Sequence, residues 1–490
     1  MKRIFGIIMA CILTLGLLGY RDLHSFPKPI DASKIHTSTP AGNMLVGTGE
    51  LDGLTVSMSG NRIIGSYHDV ISATSGITIQ VLLEEGYFDF PNINNYGLVA
   101  MSVGALFTLA VGILFAIYGK DRPLVQSVEF HVPAGVNSAE VGTIIDEEVN
   151  DNDVMSLILD WGRRGLLTIN ETKATLHFRK IRDIEPEARD YEKEMFADLF
   201  ARGDDVNTTA LTGSFYKTIH KTKDGIERYF SDKQRALSTE TSIAMQIVLA
   251  LFSFLPVVLM TFVTGYAYYR QIDMYMIAVV FQIILLIGCT YLAAYLYKRR
   301  YIVELWSRIS RILLYLLSGL LYGIPVLLMF IILNHTGTSL TQGAVVALVQ
   351  LVLIILVVLM RKRTRYGNDM LGQILGLREF IMVADQDRLQ QLCDENPYYF
   401  YDILPYAYAL GLTEIWNEHF KDLNYHDCDW FVSYYDYPDR YSMCRAMESQ
   451  MHIAQGAMAS IPESASEGGG SSGGGFSGGG GFGSSSGGSW

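Results

Sequence analysis

The chain has 490 residues, of which 50% are apolar and only 18% charged. A soluble chain carries nearer a quarter charged residues, and long uncharged apolar runs recur here, which excludes a purely soluble protein. The formal net charge of −12 argues against nucleic-acid binding by the chain as a whole. Five cysteines, Cys11, Cys289, Cys393, Cys428 and Cys444, are widely spaced, two of them in apolar runs, and imply no disulfide framework.

Met1-Lys2-Arg3 followed by the apolar run Ile4 to Tyr20 has the n-region and h-region of a signal sequence or uncleaved signal anchor over residues 1–20. Gly19 offers a small residue at the cleavage site but Leu17 does not, so both readings stand. Residues 21–95 are rich in Gly, Ser and Thr. Short β-type runs at 54–58, 62–64 and 77–83 predict a small β-rich unit with a marginal core.

Five segments are long and apolar enough to cross a bilayer: 96–118, 243–266, 274–297, 312–333 and 343–360. Lys120, Arg122, Lys233, Arg235, Lys298, Arg299, Arg300, Arg308, Arg311, Arg361, Lys362, Arg363 and Arg365 fall on one side under simple alternation, and the other loops have almost no Lys or Arg. The positive-inside rule then places residues 21–95 outside and residues 119–242 and the C-terminus inside.

Within 119–242, Ser127 to Val132 is strand-like and Ser138 to Ile145 is a helix. A second helix starts near Asp153, with Val154, Leu157, Ile158 and Trp161 on one face and Gly165 as its C-cap. Residues 166–169 and 175–178 form a hairpin. This order is that of a winged helix. Two amphipathic helices follow, at 188–200 and 215–230. Arg163 and Arg164 could touch phosphate, but Asp146, Glu147, Glu148, Asp151, Asp153 and Asp160 crowd the same region, so a protein-interaction or packing role is expected instead of DNA binding.

Residues 361–451 predict a small helical domain. Its helices carry Leu371, Ile374, Leu375 and Phe380, then 387–393, 398–410 and a helix from Thr413 with Ile415, Trp416 and Phe420. Residues 452–490 are assigned to a disordered tail, Gly/Ser-rich from Glu467 and punctuated by Phe476, Phe482 and Trp490.

Several motifs resemble one bacterial family: Pro133-Ala-Gly-Val-Asn-Ser-Ala-Glu-Val-Gly142, Val149-Asn-Asp-Asn-Asp-Val154, Ile158-Leu-Asp-Trp-Gly-Arg-Arg-Gly-Leu-Leu-Thr-Ile169, and Leu404-Pro-Tyr-Ala-Tyr-Ala-Leu-Gly411 with Trp416 and Phe420. The chain is similar, from about residue 77 onward, to the domain-of-unknown-function 2207 family of predicted membrane proteins. The resemblance implies a bacterial envelope location and no established activity. Members usually carry a larger external β-domain, and here the outer part is shortened.

No Walker A loop, H-E-x-x-H or C-x-x-C occurs. G-x-S-x-G occurs at 470–474, 475–479 and 483–487, all in the Gly/Ser tail, where chance produces it. Cys393, His419, His426, Cys428 and Cys444 fit no compact zinc spacing. The spans hold no ionisable residue at mid-depth; Gln246, Gln282 and Gln350 are their main polar side chains. Gly319 and Gly323 form a small-residue ridge, expected to pack within the bundle, with homo-oligomerisation as the alternative.

The sequence thus predicts an α-helical polytopic membrane protein with a small outer β unit, a cytoplasmic winged-helix-like α+β domain and a small cytoplasmic helical domain. It assigns no catalytic, cofactor-binding or metal residues. Membrane lipid and a protein partner are expected, nucleic acid is not. The expected role is a non-enzymatic scaffold or regulator in the bacterial plasma membrane, with a transport or channel component as the alternative.

Overall fold

The computed structural model describes residues 33–461 apart from 34, 39–42, 60–61, 70, 72–76, 82–92, 174, 270–272, 303–304 and 424. The signal-like segment 1–20 and the Gly/Ser tail with its G-x-S-x-G patterns lie outside the described residues. The chain divides into two compact units, Met1–Ile93 and Asn94–Trp490.

The first unit holds β1 (Ile35–Ser38), β2 (Met44–Val46), β3 (Gly49–Leu51), β4 (Leu54–Ser59), β5 (Arg62–Tyr67) and β6 (Thr78–Val81). They form two antiparallel three-stranded sheets, in the orders β2-β1-β6 and β3-β4-β5. Asp52 and Gly53 both have positive φ, 47° and 75°, as a two-residue hairpin loop requires, and so set the β3–β4 register. Ile35, Leu54 and Val56 make a three-residue core. Strands β4, β5 and β6 fall on the predicted runs; β1 to β3 lie outside them.

In the second unit α1 (Ile93–Leu114) ends in a π-helical turn, Phe115–Gly119. Next come α2 (Ser138–Asp146), α3 (Asp151–Arg163), the hairpin β7–β8 (Leu167–Glu171, Leu176–Lys180), α4 (Asp190–Leu199), β9 (Asp205–Asn207), α5 (Thr208–Leu211) and α6 (Tyr216–Phe230). A block of long apolar helices follows: α7 (Glu240–Leu251), α8 (Leu255–Tyr269), α9 (Asp273–Lys298), α10 (Leu305–Thr336) and α11 (Leu340–Val358). The chain closes with α12 (Arg365–Val383), α13 (Gln386–Glu395), α14 (Tyr399–Ala409), α15 (Thr413–His419), β10 (Phe431–Val432) and α16 (Arg440–Ala459).

Among the described residues five stretches are long and apolar enough to cross a membrane: Asn95–Gly119, Glu240–Tyr266, Met276–Lys298, Ile309–Thr336 and Leu340–Val358. Each overlaps a predicted span. The second is α7 and α8 in series, broken at 252–254, where Ser253 Oγ donates back to the Ala250 carbonyl at 2.8 Å. Pro256 sits in the first turn of α8, where its missing N–H costs nothing.

The segments before and after the long helices share one hydrophobic core, which includes Ile144, Trp161, Phe178 and Ile226 from the first and Leu371, Phe400, Trp416 and Met451 from the second. The sequence reading divides them; the structure makes them one soluble body, with α3 packed on α14 and β10 added parallel to β7. The sheet order is β10-β7-β8-β9.

Two local expectations are corrected. Residues 127–132 form no strand. Instead the backbone at 125–127 lies on helix α12, where a Cβ on Gly372 would come 2.2 Å from the Val125 carbonyl oxygen and one on Gly376 would come 1.7 Å from that of Ser127. Such an approach needs glycine on the helix and leaves no ladder partner for a strand. Residues 452–459, assigned to the tail, are helical: α16 continues because Met447, Met451, Ala454 and Met458 line one buried face.

Candidate functional site

Two polar assemblies stand out on the soluble body. The first is an open groove of about 400 Å³ between the segment that leads into α2 and the C-terminal end of α3, whose lining includes Arg163, Arg164, Arg189, Asp160, Glu192 and Tyr406. Asn137 caps α2: its Oδ1 accepts from the Glu140 amide at 2.9 Å. Glu140, fully buried, accepts from Arg189 Nε at 2.9 Å and Tyr191 Oη at 2.7 Å. Burial pushes its carboxyl up, against the opposing pull of these two donors. Asp160 accepts from Arg163 Nη2 at 2.8 Å and Arg164 Nη1 at 3.3 Å, and Arg164 also pairs with Glu185 and Glu192. The Trp161 indole N–H donates to Glu192 at 3.0 Å and its ring meets Phe196 edge-on at 5.0 Å. Gly162 is required where it stands: a Cβ there would lie 2.6 Å from the Trp430 ring.

These contacts change the reason for doubting DNA binding. Asp146, Asp153 and Asp160 do not form a repelling surface, because all three are buried. Every residue from Asp153 to Gly162 of α3 is buried, and Arg163 and Arg164 are held by carboxylates.

The second assembly gathers where the long helices meet the soluble body. Glu147 ends α2 in the left-handed conformation, φ 57° and ψ 30°, with its amide donating to the Thr143 carbonyl at 2.7 Å. Its carboxylate accepts from Ser238 Oγ at 2.9 Å, pairs with Arg361 Nη2 at 2.5 Å and lies 3.6 Å from Arg363 Nη2. Ser238 precedes α7, and both arginines follow α11. Beside it Glu148 pairs with Lys298, the last residue of α9, at 2.9 Å. The Arg363 amide donates to Asp121, just beyond Gly119, at 2.7 Å. Two adjacent glutamates therefore tie the soluble body to the ends of three spans, and Asp121 ties the end of a fourth to Arg363.

Inside the bundle the three singled-out glutamines bond backbone on neighbouring helices. Gln246 Nε2 donates to the Val357 and Val358 carbonyls at 3.1 and 3.0 Å, and Gln282 Nε2 to the Pro325 carbonyl at 3.0 Å. Gln350 serves the break between α7 and α8: its Nε2 donates to the Ser253 carbonyl at 2.5 Å and its Oε1 accepts from the Val257 amide at 3.5 Å. The Gly319–Gly323 ridge does not pack within the bundle, since a Cβ on either would meet nothing within 4 Å. Close helix approach uses α1 instead. A Cβ on Gly97 would lie 2.2 Å from Gln342 Oε1, one on Gly104 would lie 3.2 Å from Pro256 Cβ, and one on Gly119 would lie 3.1 Å from Met360 Cα. With Gly112, whose Cβ would lie 3.8 Å from Leu356 Cδ1, the seam recurs at seven- and eight-residue intervals from Gly97 to Gly119.

The cysteines and histidines weighed as metal ligands have other uses. His419 Nε2 lies 3.4 Å from the Met382 carbonyl oxygen and His426 Nδ1 lies 3.0 Å from that of Asp427. Burial pushes the Cys393 thiol up to about 11 and the Cys428 thiol up to about 12, and raises Cys444 as well, which disfavours the thiolate a metal needs. Among the described residues no group of three or more His, Cys, Asp or Glu side chains is arranged to hold a metal ion.

Five helices long and apolar enough to cross a membrane, with ion pairs from Glu147 and Glu148 at their ends, are the architecture of a multi-pass membrane protein. The chain belongs to the family described as predicted membrane protein (DUF2207), whose C-terminal-domain model matches residues 127–420. No curated protein and no solved structure matches the chain. The matched stretch covers the Glu147 assembly's α2, α7, α9 and α11 partners and most of the soluble body.

Proposed function

We propose that this protein is a non-enzymatic scaffold or regulator in the bacterial plasma membrane, with its soluble body and C-terminus in the cytoplasm and its β unit outside. The observation that carries this reading is Glu147, which joins the soluble body to the membrane helices through Ser238, Arg361 and Arg363. A body so attached transmits load or state between partners and the bundle. The orientation follows from the Lys and Arg residues that flank the same ends of the spans.

The first half of the soluble body is winged-helix-like in its order of α2, α3 and hairpin. The helix in the DNA-reading position is covered by α14, which supports protein contact in place of nucleic acid. In the bundle, the side-chain nitrogens of Gln246, Gln282 and Gln350 donate to neighbouring backbone carbonyls, which favours helix packing over a transport or channel path. In-cell crosslinking with mass spectrometry tests the reading. A defined envelope-protein partner is expected, its crosslinks lost in Glu147→Gln while the spans stay inserted. Solute flux through liposomes reconstituted with the full chain would overturn it.

A further inference from the structure

We propose that the Glu147 assembly holds one phosphate anion, supplied by the headgroup of an acidic membrane lipid, among Arg300, Arg361 and Arg363. The Arg363 side chain is 7% exposed, and its Nη1 is buried with no hydrogen-bond partner. Its Nη2 lies 3.6 Å from Glu147 Oε1, beyond hydrogen-bond distance, while Arg361 takes Oε2 at 2.5 Å. A buried guanidinium nitrogen with no acceptor destabilises the fold unless something supplies one.

Charge is out of balance in the same place. Arg300, Arg361 and Arg363 face Glu147 and Asp121, three cations against two carboxylates. Among the described residues Arg300 has no ion-pair partner: its Nη1 donates to the Tyr297 carbonyl at 2.7 Å and its guanidinium stacks over the Tyr297 and Tyr301 rings at 3.9 and 4.5 Å. It instead repels Arg363, whose guanidinium is less firmly protonated for that reason and, first, for its burial. The adjoining Lys298–Glu148 pair is neutral and offers no counter-charge. The site is short of one negative charge and one acceptor, and a phosphodiester provides both. Planar guanidiniums match its oxygens better than any other side chain does.

The position selects the lipid. Arg300 follows α9 and Arg361 follows α11, so the cluster lies where spans end, the level at which basic pockets between helices meet anionic headgroups. Nη1 is closed to solvent. The anion therefore enters with displacement of a flanking side chain.

This rests on the membrane placement proposed above but not on its orientation, and the test uses purified protein so that the two fail separately. Thermal unfolding of the full chain in uncharged detergent is measured with added short-chain phosphatidylglycerol, phosphatidylcholine or inorganic phosphate. Phosphatidylglycerol is expected to raise Tm by several degrees, as a ligand bound only by the folded state must. Arg363→Gln and Arg300→Gln should each weaken that response at least about tenfold in lipid concentration. Arg300→Gln keeps both cationic partners of Glu147 and so separates binding from folding. Equal stabilisation by inorganic phosphate would reject the lipid as source. Equal stabilisation by phosphatidylcholine, no shift with any addition, or an unchanged response in Arg300→Gln would overturn the site.

Discussion

Glu147 and Arg361 are joined across the boundary between the soluble body and the membrane helices, carboxylate oxygen to guanidinium nitrogen at 2.5 Å. The glutamate is held there by a backbone conformation that non-glycine residues rarely adopt, φ 57°. Such strain persists only where surrounding contacts over-determine it, and here the contacts are Ser238, Arg361 and Arg363. Glu147→Gln leaves the buried Arg363 and the half-buried Arg361 without their shared counter-charge. It should destabilise the full chain by roughly 3–5 kcal/mol, the cost of breaking a buried pair from one side. Thermal or denaturant unfolding in detergent measures it, and a change below about 0.5 kcal/mol would reduce the assembly to surface pairing.

Glycine positions separate sharply. Gly376→Ala drives a methyl into the Ser127 carbonyl, 1.7 Å from the ideal Cβ. The contact is backbone on both sides and cannot relax by a rotamer change, so a loss of roughly 3 kcal/mol or more is expected. Gly319→Ala and Gly323→Ala meet open space and should leave the monomer's stability within about 0.5 kcal/mol. Purified-protein unfolding compares the three. If Gly319→Ala proves the most damaging, the ridge is buried by something the chain itself does not provide.

Gln350→Leu keeps side-chain volume and removes both hydrogen bonds to the break between α7 and α8. The Ser253 carbonyl and Val257 amide are then left unpaired in an apolar interior, at a cost of roughly 1–3 kcal/mol. Gln350→Glu, which keeps the acceptor but adds a buried charge, should be worse at pH 7 than Gln350→Leu. The reverse order would mean that water reaches the break.

Asp146 supplies a pH dependence. It is buried, and this pushes its carboxyl from 3.8 up to about 6, with Lys298 and Arg299 pulling the other way. The folded value lies above the unfolded one, so this group's stabilising contribution is full below about pH 3.8 and is lost as pH rises to about 6. The shift is worth roughly 3 kcal/mol at 1.36 kcal/mol per unit. Unfolding of the wild type at pH 4.5 and pH 7, set beside Asp146→Asn, should show this part of the slope in the wild type alone. An identical slope in both would assign it elsewhere.

What the sequence made legible was whatever depends on local pattern. Apolar runs marked the five spans, and the Val154, Leu157, Ile158 and Trp161 periodicity marked α3. Gly165 and Gly411 take positive φ, 70° and 66°, beside the helix ends where they were expected. Long-range association was not legible. Nothing local to Trp430 says that it fills the space over Gly162, or that β10 adds to a hairpin some 260 residues earlier. The carboxylates of α2 and α3 look like surface charge by count, and only the fold reveals Glu140, Asp153 and Asp160 as buried partners of Arg, Asn and amide groups. Glu147 carried no signal at all, because its role depends on residues 91 and more than 200 positions away. The α1 glycine spacing was present to be read, and a search for seven-residue small-residue periods would have found it.

The central claim is that the soluble body is cytoplasmic and fastened to the cytoplasmic ends of the spans. Ala201 is exposed on that body, outside every span. The direct measurement is labelling of Ala201→Cys with a membrane-impermeant maleimide, in intact cells and after permeabilisation. The account predicts label only after permeabilisation. Label in intact cells, at the level of an external control cysteine, would contradict it.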